Sequence, residues 1–268
     1  MPEEKLIEEA EERSAPAPNV VYEAVLLEGR DELKRSTPSL FFSGLAAGLS
    51  MGFSLATEGM LRAGLPGASW TTLIARLGYS MGFLIVVLGR QQLFTENTLT
   101  VMLPLLRRKD RKTLANVGRL WGTVLLANLL GALLIAWAIG KTSVFDPAVR
   151  RAFVEVAGHG VGDPFGTVLL RGIFAGWLIA LMVWMMPAAE TARVAVVILV
   201  TYVIGLAGFA HVIAGSVDKL LLVITGNISI GQFFGGFFVP ALLGNVIGGV
   251  SLVAALNHGA AGREEPAP

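Results

Sequence analysis

Long apolar stretches fill the sequence from residue 39 onward, and they restrict the chain to a helical membrane fold. A helix of about 20 apolar residues crosses the hydrocarbon layer of a bilayer. Charged residues make up only 15% of the 268-residue chain. Soluble domains carry roughly a quarter, so the composition excludes a disordered or nucleic-acid-binding chain. The six predicted passages are 39–61, 72–106, 114–139, 167–187, 194–224 and 232–256.

Two of these passages, 72–106 and 194–224, are too long for one crossing and too short for two. Each contains a polar or glycine-rich interruption, at 89–96 in the first and at 205–211 in the second. Non-helical backbone persists at membrane depth only where it is buried in protein or lines an aqueous cavity. The paired interruptions therefore predict a transport site.

The two halves of the apolar region resemble each other. Segment 125–132 matches segment 242–249, and aligning the two interruptions sets Thr95 opposite His211. Three helices in each repeat require the repeats to have inverted topology. The predicted fold class is an all-α membrane protein with six transmembrane helices in two inverted three-helix repeats, in which the second and fifth helices are broken.

Three regions are expected along the chain. Residues 1–38 carry ten acids and five bases and are expected to form a cytoplasmic helical region. Residues 39–257 form the predicted membrane pore domain, and 258–268 a cytoplasmic tail. Lys and Arg cluster at 30–35 and 107–112, which predicts that both termini are cytoplasmic. In the first region an acidic helix precedes an amphipathic one, whose expected apolar face contains Val20, Val21, Ala24, Leu27 and Leu33.

His211 is the one histidine inside a predicted passage, and an ionisable residue there indicates a functional site. It would lend a proton to an entering anion, or remain neutral and donate one hydrogen bond, or only tie Thr95 to the backbone. Each interruption precedes an expected half-helix, 97–106 and 215–224, whose positive N-terminal end suits a small anion. The side chains expected to cap these half-helices are Thr95, Asn97 and Ser216.

Charged and amide side chains lie near the same interruptions. Arg90 and Glu96 are expected either to pair with each other and shape the loop or to line the cytoplasmic mouth. Arg171 begins the fourth helix, where it either attracts anions in an outer vestibule or extends to the membrane interface. Asn128 and Asn245 occupy equivalent places in the two halves, and we expect them to hydrogen-bond the broken loops.

Sequence motifs of soluble enzymes are absent. The chain contains no nucleophile elbow, zinc-protease motif, P-loop or dinucleotide-binding glycine fingerprint. It has no cysteine, and His159, His211 and His258 are too scattered in sequence to predict a metal cluster. We therefore expect no enzymatic activity, no cofactor and no bound metal.

Three short segments resemble the formate/nitrite transporter family. They are Leu93-Phe94-Thr95 in the first interruption, Gly208-Phe209-Ala210-His211 in the second, and the glycine-rich segment 243–249. The resemblance covers roughly residues 20–257, and segment 44–53 looks most like the divergent YfdC-type branch of the family. It implies a homopentamer in the inner (plasma) membrane, surrounded by lipid, with one aquaporin-like pore in each protomer.

The resemblance also implies substrates and site residues. Family members pass small monovalent anions of weak acids, such as formate, nitrite or hydrosulfide, often linked to protons. The pore histidine would be His211, and the loop threonine facing it would be Thr95. The inner constriction would contain Leu93, Phe94, Phe83 and Ile179, and the outer constriction would contain Tyr79 and Ile204.

The sequence departs from the family pattern at several polar positions. Ala210 stands where the family has an acid before its histidine, Gln92 replaces the acid before Leu-Phe-Thr, and Arg90 replaces a glycine. Gly215 replaces an asparagine four residues after the histidine, and Gly160 lies near the place of a vestibule lysine. Two alternatives to an anion pore therefore stay open: a channel for neutral solutes or water, and a closed membrane protein that recruits a cytosolic partner.

Overall fold

The computed structural model describes residues 16–261, and no strand occurs within that range. The acidic helix expected in the first fifteen residues lies outside the described part of the chain. The helices are α1 Pro18–Lys34, α2 Thr37–Gly64, α3 Thr71–Leu88, α4 Asn97–Thr100, α5 Met102–Arg108, α6 Arg111–Lys141, α7 Pro147–Ala157, α8 Phe165–Ala189, α9 Arg193–Ala207, α10 Val212–Ile224, a π-helix at Gln232–Phe238 and α11 Val239–Ala261.

Five helical stretches within residues 16–261 are long and apolar enough to cross a membrane. One of them, Phe165–Ala207, contains both α8 and α9, which are separated by a 3₁₀ turn at Glu190–Ala192. Glu190 has a φ of 39° there, so the backbone leaves the helical path. The predicted all-α class and the presence of several membrane-spanning helices are confirmed.

The most extensive helix packing joins α2 to α6 and α8 to α11. Small residues allow these backbones to approach closely, as is common between helices in a bilayer. A Cβ on Gly48 of α2 would overlap the carbonyl of Asn128 in α6, and a Cβ on Gly176 of α8 would overlap the carbonyl of Asn245 in α11. The α2–α6 pair and the α8–α11 pair are therefore each in close contact at a glycine and an asparagine, at corresponding positions.

Helix α1 packs on one end of the membrane helices through an apolar face that differs from the predicted one. Its buried residues are Val21, Tyr22, Val25, Leu26 and Gly29, whereas Val20 and Leu27 are more than half exposed. The prediction of an amphipathic helix is confirmed, but its assignment of Val20 and Leu27 to the buried face is wrong. Packing decided this, because α1 meets Leu99 and Leu103 of the first half-helix rather than a flat surface.

Both predicted interruptions are present as breaks in helical structure. The first occupies residues 89–96, where Arg90 adopts a φ of 48°. The second is shorter than expected: α9 continues to Ala207, and Gly208 leaves the helix at a φ of 65° that favours glycine. The chain resumes as α4 after the first break and as α10 after the second.

Candidate functional site

The two backbone breaks meet at a contact between Thr95 and His211. The Thr95 Oγ1 atom lies 2.8 Å from the His211 Nε2 atom, and both side chains are buried. The sequence alignment of the two interruptions had set these residues opposite each other, and the fold places them in contact. We call Thr95 and His211 the central pair.

The hydrogen bond at His211 Nδ1 determines whether Nε2 carries the ring proton. The His211 Nδ1 atom accepts a hydrogen bond from the backbone N–H of Ala214 at 3.1 Å, so it carries no proton. In a neutral imidazole the proton then resides on Nε2, which donates toward Thr95 Oγ1. His211 is thus the N-cap of α10. The predicted cap Ser216 instead donates its hydroxyl to the Val212 carbonyl at 2.5 Å, so that assignment is wrong.

Asn128 holds the first break in place with three hydrogen bonds. Its Oδ1 atom accepts from the backbone N–H of Phe94 at 2.9 Å. Its Nδ2 atom donates to the carbonyls of Gln92 at 2.9 Å and Gly44 at 2.7 Å. The amide therefore satisfies backbone groups that a broken helix leaves without partners.

Asn245 holds the second break with a corresponding set of bonds. Its Oδ1 atom accepts from the backbone N–H of Val212 at 2.8 Å, and its Nδ2 atom donates to the carbonyls of Ala210 at 2.7 Å and Gly172 at 2.9 Å. The hydrogen bonds predicted from both asparagines to the broken loops are present. The asparagine oxygens already accept from the N–H groups of Phe94 and Val212. These two N–H groups are therefore not free to bind an anion at the breaks, and side-chain donors would bind it instead.

Buried apolar side chains surround the central pair. The ring of Phe83 packs edge-on against the His211 ring at a centroid distance of 4.9 Å, and the centroid of the Tyr79 ring lies 5.3 Å from that of Phe83. The Phe94 ring contacts Trp121 at 5.7 Å. The residues expected to form the inner and outer constrictions are all buried, namely Phe83, Leu93, Phe94, Ile179, Tyr79 and Ile204.

One cavity reaches His211 from the end of the molecule that carries α7, and we call it the α7-side cavity. It has a volume of about 70 Å³. Arg171 lies in its wall and pairs with Asp163, which agrees with the expected vestibule position. Tyr79 and Ile204 also line it, so the residues expected at the outer constriction lie on this side of His211.

Lys219 and Asp218 bring charge to this cavity from an element that the sequence analysis had treated as apolar. The Lys219 ammonium is buried and donates to the carbonyls of Ala157 and His159, both at 2.6 Å. Both residues lie in α10, inside predicted passage 194–224, where ionisable residues are expensive and indicate function. That rule identifies both residues from the sequence, because they lie within the predicted passage.

Arg76 adds a further cation to the α7-side cavity and forms a buried ion pair at 2.8 Å with Glu58 of α2. His159 lies in the loop after α7, outside the spanning helices. Partial burial lowers the pKa of His159, and the nearby Arg76, Lys219 and Arg171 lower it further, against the opposing effect of Asp163. The imidazole is therefore neutral near pH 7, and the positive charge of this cavity comes from lysine and arginine.

A second cavity opens beside α1, and we call it the α1-side cavity. It has a volume of about 380 Å³ and is lined by Glu28, Gln92 and Glu96 among others. Arg90 forms an ion pair with Glu28 of α1 at 3.2 Å, so its predicted pairing with Glu96 is wrong. The Oε1 atom of Glu96 is buried and has no hydrogen-bond partner among the residues that the structure describes. The expected mouth position of both residues fits this cavity.

Helix α1 is tied to the first break through Glu32. The Gln92 Nε2 atom donates to Glu32 Oε2 at 2.7 Å, and Asn97 Nδ2 donates to Gln92 Oε1 at 3.1 Å. Burial raises the pKa of Glu32, while Arg35 opposes that shift. Asn97, expected as a cap, thus joins the loop to α1.

Within residues 16–261 no group of three His, Cys, Asp or Glu residues could hold a metal ion.

Comparison with known proteins identifies the family. A family model described as formate/nitrite transporter matches residues 19–259. The chain belongs to the formate/nitrite transporter family. The inner membrane protein YfdC of Escherichia coli (strain K12) is 40% identical over 257 residues, which cover 95% of this chain and 82% of YfdC. The formate channel FocA of Haemophilus influenzae is 26% identical over 236 residues, 78% of this chain and 82% of FocA.

Two solved structures share the fold. An ion channel of the same family superimposes with a TM-score of 0.77 at 18% identity, covering 90% of this chain and 99% of that one. A pentameric formate channel with formate bound superimposes with a TM-score of 0.69 at 20% identity, covering 85% and 98%. The family resemblance is confirmed. Members are channels and transporters, so the chain is an anion channel or transporter rather than an enzyme.

Proposed function

We propose that the chain forms a homopentameric pore in the inner membrane for small monovalent anions of weak acids, such as formate or nitrite, with one pathway in each protomer. The observation that carries this proposal is the central pair. Thr95 and His211 are buried polar groups in contact at 2.8 Å where the two backbone breaks meet. Buried polar groups between apolar walls fit a site through which a small polar solute passes. The similarity to two formate channels, one a sequence relative and one a solved structure, supports the choice of anion.

We further propose that residues 39–257 form six passages in two inverted three-helix repeats, within an aquaporin-like protomer. The matched bonding of Asn128 and Asn245 supports this arrangement, since each amide binds one break and a glycine carbonyl in an adjacent helix. In this proposal α8 and α9 are separate passages, and the half-helices complete the second and fifth ones.

The α7-side cavity would concentrate anions. Arg171, Lys219 and Arg76 place three cations around an opening that also contains Asp163 and Asp218. A positive potential at the mouth of a narrow cavity raises the local anion concentration and the rate of entry. From there an anion would reach His211 past Tyr79 and Ile204.

The central pair would bind the anion with two donors. The His211 Nε2–H donates to Thr95 Oγ1, and an oxyanion that separated the pair would accept from both the Nε2–H and the Thr95 hydroxyl. Protonation of His211 at Nδ1 would break its bond to the Ala214 N–H. We therefore propose that His211 acts as a neutral donor, and that a proton linkage, where it exists, comes from passage of the weak acid itself.

Uptake into liposomes tests the proposal. Purified protein is assayed with labelled formate, nitrite and chloride at mildly acidic and neutral pH, beside a His211→Phe variant and the matched His258→Phe variant. We expect formate and nitrite uptake that increases at acidic pH, is lost in His211→Phe and is retained in His258→Phe. Native mass measurement should give a pentamer.

Two results would contradict this function. Flat traces for every anion together with flux of an uncharged solute would favour the neutral-solute channel. Absence of any flux, together with a stable cytosolic partner bound to residues 1–38, would favour the closed protein.

A further inference from the structure

Gly215 leaves a space in the wall of the α7-side cavity, and the ring of Phe237 occupies it. A Cβ built on Gly215 would lie 2.9 Å from Phe237 Cε2 and 3.0 Å from Phe237 Cε1, closer than real Cβ contacts. Gly215 is one turn after His211 on α10 and lines the same cavity as Phe237. The position where the family has an asparagine thus accommodates an aromatic ring from another element.

The π-helix directs Phe237 to that position. Residues Gln232–Phe238 form seven residues of π-helix before α11, a winding that is rare and is frequently found at functional sites. Within it Phe233 and Phe238 are buried in the apolar core, whereas Phe234 is 47% exposed. Phe237 is the phenylalanine of this segment that lines the α7-side cavity.

Lys219 also contacts the Phe237 ring. Its Nζ atom lies 5.8 Å from the Phe237 ring centroid, within the range of a cation–π contact. The ammonium is itself fixed by two carbonyls at 2.6 Å. Gly215 and Lys219 are four residues apart on α10, so they present one face of that helix to the ring.

We propose that Phe237 is a size-selecting residue that limits entry from the α7-side cavity to anions no larger than formate or nitrite. This inference rests on the proposed function. The α7-side cavity has both Phe237 and His211 in its lining, and its volume is about 70 Å³, against about 380 Å³ for the α1-side cavity. The ring therefore lies in the smaller of these two cavities, which is the one that reaches His211. A fixed ring in a narrow approach excludes solutes that carry one more carbon.

Relative uptake of larger anions tests the selection. Liposomes containing the parent chain, Phe237→Ala and Phe237→Leu are assayed with formate, acetate and lactate, and Phe234→Ala is the matched control. We expect the acetate-to-formate ratio to rise by about tenfold in Phe237→Ala, the scale on which one methylene is discriminated. Phe237→Leu should fall between, and the ratio in Phe234→Ala should equal that of the parent. An unchanged ratio in Phe237→Ala would overturn the proposal.

A second readout does not depend on transport. The chain has no cysteine, so Ala210→Cys places a single thiol in the cavity wall beside His211. Thiol-reactive reagents of two sizes are applied to the purified protein with and without Phe237→Ala. In Phe237→Ala we expect the labelling rate with the larger reagent to increase by about tenfold and the rate with the smaller reagent to increase less. Phe234→Ala should change neither rate. Equal acceleration of both reagents, or of neither, would overturn the size selection.

The two readouts separate the failure of this inference from the failure of the proposed function. If no variant carries any anion, the anion pore is wrong, and the labelling rates still decide whether Phe237 limits entry by size. If formate uptake is present but neither the ratio nor the labelling responds to Phe237→Ala, the pore stands and the role of Phe237 is wrong.

Discussion

At the scale of single residues, two asparagines make the broken helices possible. A break at membrane depth exposes N–H and C=O groups that water cannot reach, and each unsatisfied group is costly. Asn128 and Asn245 each supply one acceptor and one donor to such groups, and each donates a second hydrogen bond to a glycine carbonyl in an adjacent helix. The asparagine amide offers an acceptor and two donor hydrogens on one short side chain, whereas a serine or threonine hydroxyl has only one donor hydrogen.

Replacing Asn245 by alanine should therefore destabilise the protein. The Val212 N–H and the Ala210 carbonyl at the break would lose their partner, at roughly 1–3 kcal/mol for each buried unsatisfied group before relaxation. We expect a clear fall in the melting temperature and a loss of uptake, and a similar effect for Asn128→Ala. Asn227→Ala, at an exposed side chain, is the control and should melt like the parent. Equal melting of all three variants would contradict the role assigned to the amides.

At the scale of elements, glycines set how closely the helices approach. The contact of Gly48 with the Asn128 carbonyl, and of Gly176 with the Asn245 carbonyl, brings each asparagine-bearing helix near the break that it holds. The position of the central pair therefore depends on helix separation, since a longer distance would move the amides out of hydrogen-bond range.

Gly48→Ala should push α2 and α6 apart. Its Cβ would overlap backbone atoms that cannot rotate away, and overpacking of this kind costs about 1–3 kcal/mol. Gly118→Ala in α6 is the matched control, because a Cβ there meets no atom within 4 Å. We expect a lower melting temperature and reduced uptake for Gly48→Ala, and an unchanged or slightly raised melting temperature for Gly118→Ala. The opposite order would show that helix separation is not limiting.

At the scale of the whole molecule, the two ends differ in charge. Cations outnumber acids by three to two in the lining of the α7-side cavity, and acids outnumber cations by three to two in that of the α1-side cavity. The α1 helix lies at the second end, where Glu23 pairs with Arg107 at 2.7 Å and Glu28 with Arg90. Under the proposed function, this charge difference would favour entry of an anion from the α7 side.

The distribution of lysine and arginine predicts which end faces the cytoplasm. We expect α1 and the loop before α6 to lie inside the cell. In the cysteine-free chain, Lys112→Cys should react with an impermeant maleimide only after lysis, while Val161→Cys, which is 41% exposed in the loop after α7, should react in intact cells. Labelling in the reverse order would invert the topology.

The sequence by itself determined the membrane class, both breaks and the pairing of Thr95 with His211. These features depend on local hydropathy, segment length and internal repetition, and all three can be recognised in the linear sequence. The hydrogen bonds of Asn128 and Asn245 could also be anticipated, because equivalent positions in the two halves carried the same amide.

The tertiary structure alone decided the electrostatic partners. Arg90 pairs with Glu28 rather than Glu96, and Lys219 is a buried donor beside Phe237. Such contacts join residues far apart in the chain, so no local pattern specifies them; they follow from which helix faces approach each other. The space at Gly215 acquires meaning for the same reason, since an absent side chain matters only when a neighbour fills the space.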